Sequence, residues 1–180
     1  MDISTFVELS HGEWRSMRSG HSLAFQYFEE VLSEVKIQCL DKNDKSVAEL
    51  ASSVERIKGE LISPFSMAWE AESDWEPDDP TAVSSGQCIL VPYQIDESHG
   101  HIIRSVGYAE AEQAITDYSF SSDGTLVLRT VYGQSIAEER IWFASDNVRC
   151  RSSILKTSEG SGILQTSFAS EVRKLSKGIN

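Results

Sequence analysis

Long apolar runs are missing from this 180-residue chain. No stretch approaches the ~18 residues that a membrane-crossing helix needs, so no transmembrane span is expected. Basic residues are scarce: 16 Lys and Arg stand against 28 Asp and Glu, a net charge of −12. That balance argues against nucleic acid and anionic membranes as partners, because both reward basic surfaces. Cysteine is sparse too. Cys39, Cys88 and Cys150 are odd in number, form no CxxC and have apolar neighbours, which predicts reduced, packed thiols rather than a disulfide framework or a structural zinc. The opening MDISTFVELSHGEW has neither the basic nor the apolar segment of a secretory leader, so the expected setting is the inside of a cell or organelle. GxSxG, HExxH, a Walker loop and GxGxxG are all absent, which leaves no conventional hydrolase or nucleotide-binding reading. ESHGH supplies His99 and His101 with Glu97 beside them, but no third ligand completes a metal set.

What is present is alternation. VLSEVKIQCL sets Val31, Ser33, Val35, Ile37 and Cys39 against Leu32, Glu34, Lys36 and Gln38, the period of a half-buried strand. Further strands are expected over residues 12–25, 63–73, 86–95, 101–110, 114–122, 125–133, 135–145, 147–157 and 163–174. Turn residues punctuate them at SSDG (121–124), YGQ (132–134), SDN (145–147) and SEGSG (158–162). Residues 73–86 read as an acidic, proline-broken loop. Two short helices are expected. One runs near residues 2–9 with Ser4 as its cap, and one lies in DKSVAELASSVERI, where Val47, Leu50, Ala51 and Val54 have helical spacing and Asp44 caps the start. About ten sequential antiparallel strands in one domain over 1–180 predict an all-β, up-and-down barrel, with a sandwich as the alternative. A barrel of this size can hold one small ligand.

The candidate site follows from DNVRCRSSILK. In a strand, Arg149, Arg151 and Ser153 share one face, and Val148, Cys150 and Ile154 take the other. Either the first face is solvated, its arginines paired with Glu138, Glu139 and Asp146, or it lines a cavity that receives an anion. On the cavity reading, Arg140 from the preceding strand comes near the pair, Arg18 and His21 from the first strand can touch the ligand, and Trp142 in EERIWFAS joins them. Guanidiniums suit bidentate carboxylate contacts, so converging arginines favour a ligand with two or more carboxylates. Trp69 fits a strand. Trp75 falls in the acidic loop, where it either anchors the loop locally or closes over a flat conjugated ligand.

VELSHGEWRSMRSGHSLAF, the pair in AW…SDW, VGYAE and EERIWFASDNVRCRSSILK resemble the S-type phycobiliprotein lyases, the CpcS/CpeS-like family, from about residue 3 to residue 173. The resemblance implies a lipocalin-like, ten-stranded antiparallel barrel close to the fatty-acid-binding proteins. It implies that the substrate is an open-chain tetrapyrrole, phycoerythrobilin or phycocyanobilin, with no permanent cofactor. The activity implied is lyase chemistry: the bilin is delivered to a cysteine of a phycobiliprotein subunit as a thioether, and that acceptor supplies the nucleophile. Arg149 and Arg151 fall in the family's arginine-rich strand, Arg18 in its WRSxRS segment, and Trp69 and Trp75 on its aromatic pair. On this reading the arginines hold the bilin propionates, and Glu138 hydrogen-bonds the pyrrole nitrogens as a catalytic carboxylate beside Arg149 and Arg151. The cytoplasm of a cyanobacterium or the plastid of an alga is implied as the location. A homodimer or a heterodimer with a paralogue stays open. The competing expectation is a carrier of a small hydrophobic carboxylate without transfer chemistry. A third is an interaction module that docks a partner through residues 73–80.

Overall fold

The computed structural model describes residues 1–23, 25–73, 84–105, 113–159 and 162–175. Helix α1 (Ile3–Ser10) leads into β1 (Gly12–Ser22) and β2 (Tyr27–Cys39). Helix α2 (Lys45–Ser52) and the two-residue β3 (Glu60–Leu61) follow. Then come β4 (Phe65–Ser73), β5 (Ser84–Gln94), β6 (His99–Arg104), β7 (Ala114–Phe120), β8 (Leu126–Tyr132), β9 (Ser135–Ser145), β10 (Val148–Thr157) and β11 (Ile163–Arg173). Every pairing is antiparallel, in the order β5-β4-β2-β1-β11-β10-β9-β8-β7-β6, and β6 pairs back onto β5. Ten strands thus close into a barrel with two helices, as expected. β3 extends the same edge of β5 beyond the end of β4, at Glu60–Gln94 and Leu61–Tyr93.

Closure fixes an inside and an outside for each strand, because successive side chains point to opposite faces. On β1, Trp14 and Ser16 are buried inside, while Glu13, Arg15 and Met17 are exposed outside. On β2, Val35 and Ile37 are inside. Helix α1 closes one end: Ile3, Phe6 and Val7 are buried in one cluster with Trp14, Phe65, Ile102, Tyr118 and Leu126. Its first turn is capped by the Asp2 carboxylate, which accepts from the Thr5 N–H at 2.8 Å. The cap is therefore Asp2, two residues ahead of the expected Ser4. The helix starts early enough to drop Ile3 into the barrel floor.

The C-terminal carbonyls of α1 are satisfied from the barrel. The Trp14 indole N–H donates to the Ser10 carbonyl at 2.8 Å. Arg173, at the end of β11, donates to the carbonyls of Leu9 and His11, and its guanidinium lies 4.2 Å from the Trp14 ring centre. A cation placed on the last turn of a helix complements both its orphan carbonyls and its dipole. Gly12 makes the corner possible: its φ of 123° disfavours any side chain, and a Cβ there would come within 2.9 Å of the Arg173 guanidinium.

Helix α2 lies on the outer wall. It is capped by Asp44, as expected, and its Val47 packs against Val91 of β5 and Ile103 of β6. It ends at Ser52, before the Val54 of the sequence pattern. No described helix is long and apolar enough to cross a membrane.

Candidate functional site in the barrel lumen

The alternation of β10 puts Arg149, Arg151 and Ser153 inside the barrel and Cys150 and Ile154 on its outer face. Arg149 is 1% exposed and Glu171 of β11 is 3% exposed. The Arg149 Nε–H donates to the Glu171 carboxylate at 2.5 Å, and the Arg149 guanidinium lies 4.9 Å from the Trp14 ring centre. A second group sits across the lumen. Glu139 of β9 accepts from Arg104 of β6 at 3.1 Å, and its other oxygen lies 3.7 Å from Arg151. Three guanidiniums thus share two carboxylates, leaving one positive charge in excess inside a chain that is strongly acidic overall.

Two guanidinium nitrogens, Arg149 Nη2 and Arg104 Nε, are buried with no hydrogen-bond partner among the described residues. Buried donors are rarely left in this condition, and an incoming acceptor would satisfy them. Around them the walls are apolar, with Ile37, Phe65, Met67, Leu90, Leu128 and Ile141 lining a narrow cavity of about 40 Å³. Few polar groups converging in an apolar cavity are the usual make-up of a small-molecule site.

The electrostatics follow from burial and pairing. Burial is the largest influence on Glu171 and pushes its carboxyl upward. The Arg151 and Arg149 charges, with hydrogen bonds from Arg149 and Ser16, overcome it and hold the group below the usual carboxylate range. Burial pushes Arg149 down, opposed by Glu171 and reinforced by Arg151. Burial is the largest influence on Arg104 and opposes its charge, but Glu139, together with Cys88 and Tyr132, outweighs it and the group is pushed up. Toward the other end the lumen holds smaller polar pairs: Ser153 with Ser167 at 2.6 Å and Thr116 with Thr130 at 2.7 Å.

The remaining sequence candidates divide between the two faces. Arg18 is on the inner face toward the end of the barrel opposite α1, about one-third exposed, and donates to Glu29 at 2.8 Å. Trp69 is also inside, packed against the core cluster. Its indole lies over Gly86, its partner on β5; a Cβ there would stand 2.4 Å from the ring.

Four candidates are on the outer wall. His21 stacks on Phe28 with ring centres 4.7 Å apart. Arg140 is exposed and faces Ser152 across the ladder, so it does not come near Arg149 and Arg151 as expected. Trp142 pairs with Cys150 and leans on Phe168. Glu138 is ion-paired outside with Lys156 at 2.8 Å. The two arginines therefore pair neither with Glu138 nor with Asp146. Trp75 lies outside the described residues.

Sequence reasoning offered Glu139 as a partner of the arginines only on a solvated face, did not single out Glu171 among the possible proton donors and acceptors, and missed Arg104. A signal existed for the first. Glu138 and Glu139 are adjacent, so only one can face inward, and Glu139 shares its face with the apolar Ala137 and Ile141.

A closed antiparallel barrel, floored by a helix and lined by apolar walls with a few buried charges, has the architecture of the lipocalin-like class. The comparisons with known proteins narrow this. A family model described as CpeS-like protein matches residues 2–174. A Trichodesmium erythraeum protein named chromophore lyase CpcS/CpeS 3 is 47% identical over 175 residues, covering 96% of this chain and 99% of that protein. A Microchaete diplosiphon protein named putative phycoerythrobilin lyase CpeS is 42% identical, covering 88% of this chain and 71% of its own length. The solved structure of the S-type phycobiliprotein lyase CPES from Guillardia theta superposes with a TM-score of 0.83 at 36% identity, covering 98% of this chain and 95% of that one. The chain belongs to the CpeS-like family of chromophore lyases.

Proposed function

We propose that this protein is a single-domain bilin lyase. Its lumen takes up an open-chain tetrapyrrole, phycoerythrobilin or phycocyanobilin, and presents it to a cysteine of a phycobiliprotein subunit. The observation that carries the reading is the pair of unpartnered guanidinium nitrogens on Arg149 and Arg104, buried beside a net positive charge in an apolar lumen. A bilin brings two propionates, which answer those donors, and a long conjugated body, which the apolar wall and Trp69 can hold by contact and stacking. Arg18, nearer the opening, can exchange Glu29 for a propionate at small cost, because the pair is part-exposed. Glu139 and Glu171 replace Glu138 as the acceptors for pyrrole N–H groups. An ionised carboxylate beside those nitrogens favours the protonated, more electrophilic pigment.

The bond-forming step needs no oxidant and releases nothing. The acceptor thiolate attacks the ethylidene carbon, the electron pair of that double bond moves into the conjugated system, and a proton completes the addition. The contribution of this chain is to hold one orientation of the pigment and keep water away from it. The acceptor subunit is the partner, and the site of action is the cyanobacterial cytoplasm or an algal plastid.

The test is a titration of the folded protein with each bilin, followed by transfer to apo-subunits read by absorbance and mass. Saturable binding with a shifted visible band and a subunit–bilin thioether are expected. Arg149→Ala together with Arg151→Ala should weaken binding at least tenfold, since a hydrogen bond to a charged group contributes about 1.5–3 kcal/mol. A wild-type protein that takes up a long-chain fatty acid but neither bilin would overturn the reading.

A further inference from the structure

The barrel has a closed end, floored by α1, and an opposite end where β1 turns into β2 and β11 begins. At that opposite end the chain displays large apolar side chains that the lumen does not use. Phe25 is 85% exposed, and Leu23, Tyr27, Phe28 and Ile163 are each about half exposed. They form one strip. Ser22 pairs with Tyr27 and His21 with Phe28 across the β1–β2 ladder, the Leu23 N–H donates to the Leu164 carbonyl beside Ile163, and the Phe28 ring packs on His21. Contiguous exposed aromatic and aliphatic surface of this kind marks a contact site on a soluble protein.

Its position says what covers it. Tyr27 lies on the strand face that continues into the lumen through Glu29, Val31 and Val35, and Phe28 lies on the outer face, so the hairpin straddles the rim. Arg18 and Glu29, the inner-face pair closest to this hairpin, are about one-third exposed, which marks this end as the open one. A pigment seated in the lumen leaves through this opening, and the thiol that attacks it must arrive here. The nucleophile belongs to another protein, so that protein must rest on the rim while the bond forms. A subunit that is to house an apolar, conjugated pigment needs an apolar cleft to receive it. Such a cleft is complementary to an apolar rim and not to the acidic remainder of this chain.

Resting on the bilin-lyase reading, we infer that the β1–β2 hairpin tip, with Leu23, Phe25, Tyr27 and Phe28, and the adjoining Ile163 form the docking surface for the apo-phycobiliprotein acceptor. The surface acts in handover and not in pigment uptake.

The experiment separates the two steps. Phe25→Glu and Leu23→Glu are compared with wild type and with Ile95→Glu, a half-exposed apolar residue at the closed end. Three quantities are read: bilin affinity of the lyase alone, affinity of the bilin-free lyase for an apo-subunit, and the KM for apo-subunit in transfer. The two rim variants should keep bilin affinity within twofold while apo-subunit affinity falls, and KM rises, at least fivefold; Ile95→Glu should change none of the three. Wild-type values throughout overturn the inference. So does a parallel loss of bilin affinity, which would make the hairpin part of the lumen. So does a switch from dimer to monomer in sedimentation with KM unchanged, which would make the strip a contact between copies of this chain. A wild-type lyase that fails to bind bilin yet binds apo-subunit through Phe25 removes the proposed function and leaves the docking surface.

Discussion

Trp69 packs its indole against the backbone of Gly86, its partner on the neighbouring strand, and only a residue without a side chain fits beside the ring. Gly86 is therefore what lets the largest ring on this wall pack back against the sheet. In Gly86→Ala the new methyl group displaces the indole inward, since a ring on a rotatable side chain gives way before the sheet does. The expected result is a folded protein destabilised by about 1–3 kcal/mol, with altered Trp fluorescence and weaker bilin binding. Adding Trp69→Phe relieves the clash and recovers part of the stability. Identical fluorescence and bilin affinity in wild type and Gly86→Ala would show that the indole does not depend on its glycine.

Adjacent glutamates give a paired prediction. Glu138 faces out toward Lys156 and is about one-third exposed, so Glu138→Gln should alter stability by less than about 1 kcal/mol and leave bilin binding alone. Glu139 is 2% exposed between Arg104 and Arg151. Glu139→Gln takes their shared counter-charge from the buried Arg104 and the part-buried Arg151 and should cost about 3–5 kcal/mol. It should also shift the absorption band of any bilin still bound. Denaturant titrations and visible spectra of the two variants decide the matter, and equal effects would contradict the assigned faces.

That pair also shows what the sequence could and could not reveal. Alternation in VLSEVKIQCL and VRCRSSILK was enough to find the strands and to put Arg149, Arg151 and Ser153 on one face. The face of β9 was marked less plainly, because Ala137 and Ile141 beside Glu139 compete with Ile136 and Trp142 beside Glu138. The β9–β10 ladder pairs Val148 with Ser145 but Arg149 with Phe143, a register shift next to the SDN turn. One residue of slip exchanges inside for outside. Through that shift Arg151 meets Ile141 and Ser153 meets Glu139, so Arg140 and Trp142 go out and Glu139 comes in. His21 fails for a simpler reason: it is three residues from Arg18, an odd separation in a strand. Glu171 and Arg104 gave no separate signal, because a single charge at the end of an apolar stretch looks the same whether it ends a strand in water or turns into a cavity.

Acid should weaken the fold through Glu171. Its carboxyl is held below its ordinary 4.5 by Arg151 and Arg149 despite the opposing effect of burial. A carboxylate with a depressed folded-state value contributes stability that is present above about pH 4.5 and is lost as pH falls through the folded value. Stability should therefore drop steeply below pH 4.5. Glu171→Gln, which lacks this titration, should be less stable than wild type at pH 7, and the difference should shrink as the pH is lowered. Parallel stability curves for the two proteins between pH 7 and pH 3.5 would remove Glu171 from the account.

Arg173 carries the last prediction because it ties the floor of the lumen to the wall. Its guanidinium donates to the Leu9, His11 and Asp146 carbonyls and covers the Trp14 ring, while Arg149 lies against the same ring from within the barrel. Arg173→Ala leaves the helix end without its donor and removes one cation from the indole. Charged hydrogen bonds and a cation–π contact together suggest a loss of about 2–4 kcal/mol. Arg173→Lys should recover little, since an ammonium cannot span carbonyls that the planar fork reaches at once. Hydrogen exchange locates the effect. Amides of α1 should lose protection before those of β4 and β5, and bilin affinity should fall as the floor loosens under Arg149. Uniform loss of protection across every strand would instead make Arg173 an ordinary contributor to global stability, with no particular hold on α1.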